Sequence, residues 1–442
     1  MALPRVVKVR QEFPRPRIGA VEETLREQCA KEEIASSLRP GMRVAITAGS
    51  RGIAGISEVV RSLAAIVREA GAEPFIVPAM GSHGGATAEG QEAMLAGFGI
   101  TEEGCGAPVR SSMETVELGE TGSGVKVYMD RLAAEADGVI LAGRIKPHTD
   151  FHADFESGLM KMASIGLGKH AQALALHAHG VRGIRDYMVE AARAVLGSGR
   201  VLFGVGLVEN AYEEIARLEA ISPERIPERE PELLAEAASL MPKLPVGELD
   251  ILFVDEMGKD YSGTGMDTNV LGRFRILGVE EPESPRIKYV IVGDLSARSH
   301  GNALGVGLAD FTTRRLAEKI DPRVTNENVL TSTFVERAKL PMALESDRAA
   351  LEAALRCNWG VPPEEARFAR VPNTLELEYA YVSESLLEEA RGLEGAEVIG
   401  EPQALAFDAA GNLPGFVGEP SGVESGHKEA LPGADDGYYA ER

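Results

Sequence analysis

Cysteine is scarce in this chain: three in 442 residues, Cys29, Cys105 and Cys357. So small, odd and scattered a set excludes a disulfide framework and a CxxC metal knuckle. Positive charge is also short. Lys and Arg number 46 against 68 Asp and Glu, a formal net charge of -22. That balance argues against nucleic-acid binding, which needs basic surface to neutralise phosphates. It leaves room for a small anionic substrate, because a pocket can be locally basic. Long apolar runs are missing, so no segment approaches the ~20 residues that span a bilayer. The opening stretch MALPRVVKVRQEFPRPR has no apolar signal core. Internal repeats are absent as well. These absences point to a cytoplasmic protein with no membrane and no nucleic-acid partner.

Glycine is plentiful, at 49 residues, and much of it falls in loops between strand-like and helix-like runs. A strand at Arg43 to Ala48 ends in GSRGIAG and leads to a helix from Ile56 to Ala70. A second strand, Pro74 to Pro78, ends in AMGSHGGAT and leads to a helix from Thr87 to Gly97. The rhythm predicts an α/β fold with mainly parallel sheets. Ligands in such sheets sit beyond the carboxyl ends of the strands. Further helices are expected at Val21 to Ala35, Ile184 to Leu196 and through the acidic stretch 211 to 240, with a strand at Val201 to Val208. Pro242 and Pro245 mark a domain boundary. Beyond it the rhythm restarts with strands Leu249 to Gly258 and Ile287 to Ser296 and a helix near Ala309 to Ile320. The expected organisation is an α/β catalytic domain over 1–245 and a second α/β domain over 246–417, with the active site in the cleft between them. The Gly-, Pro- and Ser-rich residues 418–442 read as a disordered tail.

The chemistry concentrates between Arg144 and Gly180. Five of the eight histidines fall there: His148, His152, His170, His177 and His179. Arg144, Lys146, Lys161, Lys169 and Arg182 supply a local basic field. An apolar strand, Val139 to Gly143, delivers KPH, where Pro147 stiffens the approach to His148. His83 lies between glycines in GSHGGAT, where small neighbours allow close approach of a ligand. The alternative is a turn histidine with one backbone hydrogen bond. Arg51, in GSRGIAG, suits either an anion site at a helix N-terminus or a solvent-facing turn. Lys161, flanked by Leu159, Met160 and Met162, reads as a snorkelling lysine or as a covalent attachment point. Lys161 and His177 are 16 residues apart, about 24 Å along a straight helix. They can serve one site only if the segment breaks, and Gly166-Leu167-Gly168 is the place for a break. His148, His152, His177 and His179 also admit a different reading, a zinc or other divalent-metal hydrolase.

GSHGG, KPH, the Lys161 to His177 interval and GMDTN from Gly265 together resemble the nickel-dependent lactate racemase family, over roughly residues 40 to 275. The resemblance implies a 2-hydroxy-acid racemase or epimerase that works by hydride transfer to a nickel pincer nucleotide. It implies Lys161 as the covalent attachment, His177 as the nickel ligand, and His83 and His148 as the acid/base pair. It also implies Arg51 beside cofactor and substrate, and partner proteins that synthesise the cofactor. A non-catalytic binding homologue is the remaining alternative. The sequence departs from the family at Ala48, where the family carries an acidic residue. Around GMDTNVLGRFR, Gly272 replaces a substrate-contacting glutamine and Arg275 a lysine. Arg273 or Arg275, with Arg51, is expected to hold the substrate carboxylate, and Gly272 to leave room for a hydroxy acid larger than lactate.

Overall fold

Continuous runs of Val, Ile, Ala and Phe, apolar on both faces, make the first sheet a buried parallel one. A computed structural model describes residues 2–50 and 52–416. It divides the chain into two compact units, Arg15–Leu240 and a second that joins residues up to Pro14 to those from Met241. Arg51 and the expected disordered tail from Gly418 lie outside the described residues.

The Arg15–Leu240 unit is built on five strands in the order Glu73–Pro78, Arg43–Ala48, Gly138–Arg144, Val201–Glu209 and Ile215–Ile221. The first four run parallel and the last is antiparallel. Alternation along each strand feeds two cores. Val44 and Ile46 face one side, with Val59, Val60, Leu63 and Val67 of the helix Ile56–Glu69. Those helix positions recur every three or four residues, as an amphipathic helix requires. Ala45, Phe75 and Val77 face the other side, with Leu159, Met160 and Met188.

The second unit carries an eight-stranded sheet. Its order is Met342–Leu344, Phe311–Thr313, Arg286–Leu295, Glu248–Met257, Phe368–Val371, Tyr379–Ser383, Arg5–Gln11, Ala396–Ala404. Arg5–Gln11 pairs antiparallel with both of its neighbours. Residues 2–14 therefore fold with the second unit, although the sequence rhythm assigns them to the first. Their Val7 and Val9 are buried in that unit's core.

Three local expectations change. Val21 to Ala35 is two helices, Val21–Cys29 and Glu32–Ala35, because Lys31 takes an extended backbone. The acidic stretch 211–240 opens with the strand Ile215–Ile221 before its helix Ile226–Leu240; hydrogen bonding to Val201–Glu209 overrides the local acidic pattern. The helix near Ala309 to Ile320 begins as the strand Phe311–Thr313 and turns helical only at Arg314–Lys319, where the Thr313 side chain caps it. Among the described residues no helix is long and apolar enough to cross a membrane.

Candidate functional site

Four segments meet beyond the carboxyl ends of the parallel strands in the Arg15–Leu240 unit. They are the loop after Arg43–Ala48, the loop carrying His83, the loop carrying His148, and the turn carrying Lys161. Met162 packs over Gly49 and Gly143, which draws the first and third segments onto the fourth. Gly81 N–H donates to the Gly166 carbonyl at 3.3 Å and holds the His83 loop against the same turn. The Gly49–Gly55 loop has its own clasp. Glu209 accepts from Ala54 N–H at 2.8 Å and pairs with Arg144 at 2.5 Å. Burial pushes the Glu209 carboxyl up, but the charge and hydrogen bond of Arg144 outweigh it, so the carboxyl lies below its ordinary range.

The His148 loop is closed at its base by mutual backbone bonds between Lys146 and Ser157. Buried Glu156 organises its interior. It accepts from His148 N–H at 2.5 Å, from Ala153 N–H at 3.0 Å, and lies 3.2 Å from His152 Nδ1. The His148 ring stacks on Phe151, centroids 4.7 Å apart. Its Nδ1 accepts Asp150 N–H at 3.1 Å, with the Asp150 carboxylate 3.6 Å away. Its Nε2 lies 2.7 Å from Lys161 Nζ. With Nδ1 engaged by a backbone donor, Nε2 is the ring nitrogen that faces the lysine.

The segment from Lys161 to His177 does break. A turn, Leu159–Lys161, passes into a wide helical stretch, Met162–Gly166, and a new helix, Lys169–His177, begins after Gly168. The bend carries His177 back toward the lysine. Burial first, then the Lys161 charge, push the His177 imidazole below its ordinary value, and Asp150 opposes them. A neutral imidazole is the form that ligates a metal. His83 Nδ1 bonds Ser50 Oγ, which ties the second loop to the first next to the position of Arg51.

Two buried groups that support these segments are invisible as motifs. Glu230, in the helix Ile226–Leu240, points its carboxyl at the start of the Lys161 turn and accepts Met160 N–H at 3.0 Å. Desolvation, only partly offset by the Met160 and Leu159 N–H groups, pushes it up to about 7. Lys169 is counted by the sequence in a local basic field. It is fully buried instead, donating to the Pro78 carbonyl at 2.6 Å and to Gln91 Oε1 at 2.8 Å, with Asp130 at 3.3 Å. Gln91 in turn donates to the carbonyls of Gly81 and His83, at 2.9 and 3.1 Å. The lysine that follows the Lys161 turn thus braces the loop that carries His83.

Glu230 gives a pH prediction. Unfolded, it titrates in the ordinary glutamate range; folded, it holds its proton up to about 7. Its contribution is complete below the ordinary range and is lost as pH rises through 7, on the order of 3 kcal/mol. Glu230→Gln keeps an acceptor for the Met160 N–H and removes the titration. Urea denaturation should find the variant about as stable as the parent near pH 4.5 and more stable at pH 8. The same difference at both pH values would show that the carboxyl does not hold its proton in the fold.

Several expected partners are placed elsewhere. His152 is exposed and bonds Glu156, and His179 packs edge-on to Tyr187. Among the described residues no three of His, Cys, Asp and Glu are grouped to hold a metal ion. The four-histidine zinc site is therefore not assembled. Arg273 belongs to the second unit and is buried. Its guanidinium pairs with Asp310 at 2.7 Å and donates to the carbonyls of Leu308, Ile287 and Lys288. These partners make Arg273 a packing brace in place of a carboxylate clamp. Arg275 is half-exposed and shares Asp310 at 3.2 Å. Gly272 opens no room. It takes φ +62, and a Cβ there would fall 2.0 Å from the Pro285 carbonyl oxygen. The glycine serves the end of the short helix Thr268–Leu271, so the argument it carried for a large substrate falls away.

Comparison with known proteins follows the same lines. Residues 6–186 match the family model for the lactate racemase N-terminal domain. That span contains His83, His148, Lys161 and His177. Comparison with curated proteins gives no match. Among solved structures the fold is similar to the lactate racemase apoprotein from Thermoanaerobacterium thermosaccharolyticum. The TM-score is 0.51 and the identity 13%, over 84% of this chain and 98% of that one. Residues 6–186, with the four histidine and lysine positions they enclose, are thus similar to the lactate racemase N-terminal domain, and the chain shares the lactate racemase fold.

Proposed function

We propose that the protein interconverts the two configurations at C2 of a 2-hydroxy acid, with a nickel pincer nucleotide tethered to Lys161. The observation that carries this reading is the 2.7 Å approach of Lys161 Nζ to His148 Nε2, on a turn that bends His177 toward the same lysine. The donor set suits the group. Lys161, half-buried at the carboxyl ends of the strands, would carry the nucleotide, and His177, whose imidazole is pushed toward its neutral form, would hold the nickel. Acceptance of the C2 hydrogen as hydride is the chemistry the bound pincer supplies.

The rest falls to the chain's own residues. His148 takes or returns the hydroxyl proton at Nε2, its ring held by Phe151 and by Asp150 N–H. His83 does the same for the opposite enantiomer. With Nδ1 on Ser50, it exchanges its proton at Nε2. Two histidines are needed because two enantiomers present their hydroxyls to opposite sides. An imidazole that titrates near neutrality serves both directions. Arg51 remains the proposed cation for the substrate carboxylate. Loading of Lys161 requires proteins that synthesise the cofactor.

The test is racemisation of a panel of 2-hydroxy acids, followed by loss of optical rotation, using protein made with the cofactor pathway. His83→Ala and His148→Ala should each lower both directions by about 10²- to 10⁴-fold, the usual weight of a general acid/base. A variant that slowed one direction and spared the other would refute the paired roles. So would a loaded parent with no activity on any 2-hydroxy acid.

A further inference from the structure

A second basic feature lies at the other end of the parallel sheet. The strand Arg43–Ala48 starts at Arg43 and the strand Glu73–Pro78 at Glu73. Beside them the helix Ile56–Glu69 brings Arg68, and the segment after Cys105 brings Arg110. These residues, with Phe75, line a cavity of about 390 Å³. The cavity sits about 17–20 Å from Ser50 and His83, the length of a six-residue strand.

Its walls are fixed by backbone. Ile76 N–H donates to the Pro108 carbonyl at 2.9 Å, and Arg110 N–H to the Ile76 carbonyl at 2.8 Å. Residues 108–110 therefore run alongside Glu73–Pro78 as a short parallel addition. Arg68 donates to the Gly106 carbonyl. The Arg110 and Arg43 guanidinia lie over the Phe75 ring, 4.9 and 5.8 Å from its centroid. That stacking orients both forks while leaving their edges available.

The charge is what calls for a ligand. Among the described residues none of these three arginines is ion-paired. Glu73 is the one acid in the lining, so the cavity holds two net positive charges inside a chain of net charge -22. Three guanidinia around one concavity repel one another unless an anion fills it. Each fork offers paired donors matched to carboxylate or phosphate oxygens. The volume lies at the lower end of the range for small-molecule pockets, roughly 300–1,000 Å³.

We propose that this cavity is a binding site for a small multivalent oxyanion, separate from the site around Lys161. The same chemistry comes from a polycarboxylate or from a phosphate compound, and the experiment distinguishes them. The full-length protein is titrated calorimetrically with citrate and with inorganic pyrophosphate, at an ionic strength held constant with sodium chloride. Saturable binding of one anion per chain is expected from at least one of them. Citrate alone identifies carboxylates and pyrophosphate alone identifies phosphates. Arg43→Gln and Arg110→Gln, which keep side-chain length over Phe75, should each weaken binding on the order of tenfold, and together remove it. Lys161→Ala should leave it unchanged. No saturable heat from either anion would overturn the proposal, as would affinity that survives the double variant or depends on Lys161. Both arginines are exposed, and matching melting curves would confirm that the double variant is folded.

Discussion

Lys161→Ala protein, made in cells that produce the pincer cofactor, is expected to have the mass of its bare polypeptide. Parent protein from the same cells is expected to carry the added mass of the nucleotide. The effect is all or none, because a covalent tether has no partial substitute. The variant should still fold. Lys161 is half-buried at the end of a three-residue turn, and its neighbours Leu159 and Met160 make the core contacts. A melting temperature within about 3 °C of the parent would match a loss near 1 kcal/mol. His177→Ala separates tether from ligand. It should retain the adduct in the mass spectrum and lose nickel from the metal analysis. An adduct that persists in Lys161→Ala would place the attachment elsewhere and remove the basis for the mechanism.

The second large effect is on stability. Lys169→Met should destabilise the protein by about 3–5 kcal/mol, the cost of leaving one member of a buried ion pair uncompensated. Three partners are abandoned at once: Asp130, the Pro78 carbonyl and Gln91 Oε1. Desolvation already pushes the Asp130 carboxyl above its ordinary value and pulls Lys169 below its own. Without the lysine, the carboxyl must take a proton or admit water. Asp130→Asn should cost less, since the amide oxygen can still accept from Ala133 N–H, as Asp130 does at 2.9 Å. Urea denaturation of both variants at one pH checks the order. Equal and small losses would mean that water reaches this pair in solution.

Much of the first unit is legible in the sequence. Runs such as RVAITA and EPFIVP are apolar on both faces and end in glycine loops, and each became a parallel strand with that loop beyond its carboxyl end. The break between Lys161 and His177 was legible too, because two glycines in three residues weaken a helix there, and the chain breaks at the second, Gly168. What stayed hidden depends on partners distant in sequence. Glu230 reads as one more acid in an acidic helix, and its partners Leu159 and Met160 lie some 70 residues earlier. Lys169 looks like part of a basic patch until Asp130 and Gln91 close around it. Arg273 shows the same limit from the other side. An arginine fork fits a substrate carboxylate or three main-chain carbonyls equally well, and local sequence does not say which it will meet. Gly272 read as a missing side chain, yet it is required by the carbonyl of Pro285, cleared only after a long loop returns.

The strand Arg5–Gln11 leaves the ribosome some 370 residues ahead of its sheet neighbours Tyr379–Ser383 and Ala396–Ala404. At 5–20 residues per second, that interval lasts on the order of 20–70 s during synthesis. Throughout it Val6, Val7 and Val9 have no sheet to enter, while from Leu240 onward everything needed to fold Arg15–Leu240 is already made. Birth order and folding order are therefore reversed for the opening segment. The first unit can close around its own cores while Arg5–Gln11 is still an unpaired apolar strand.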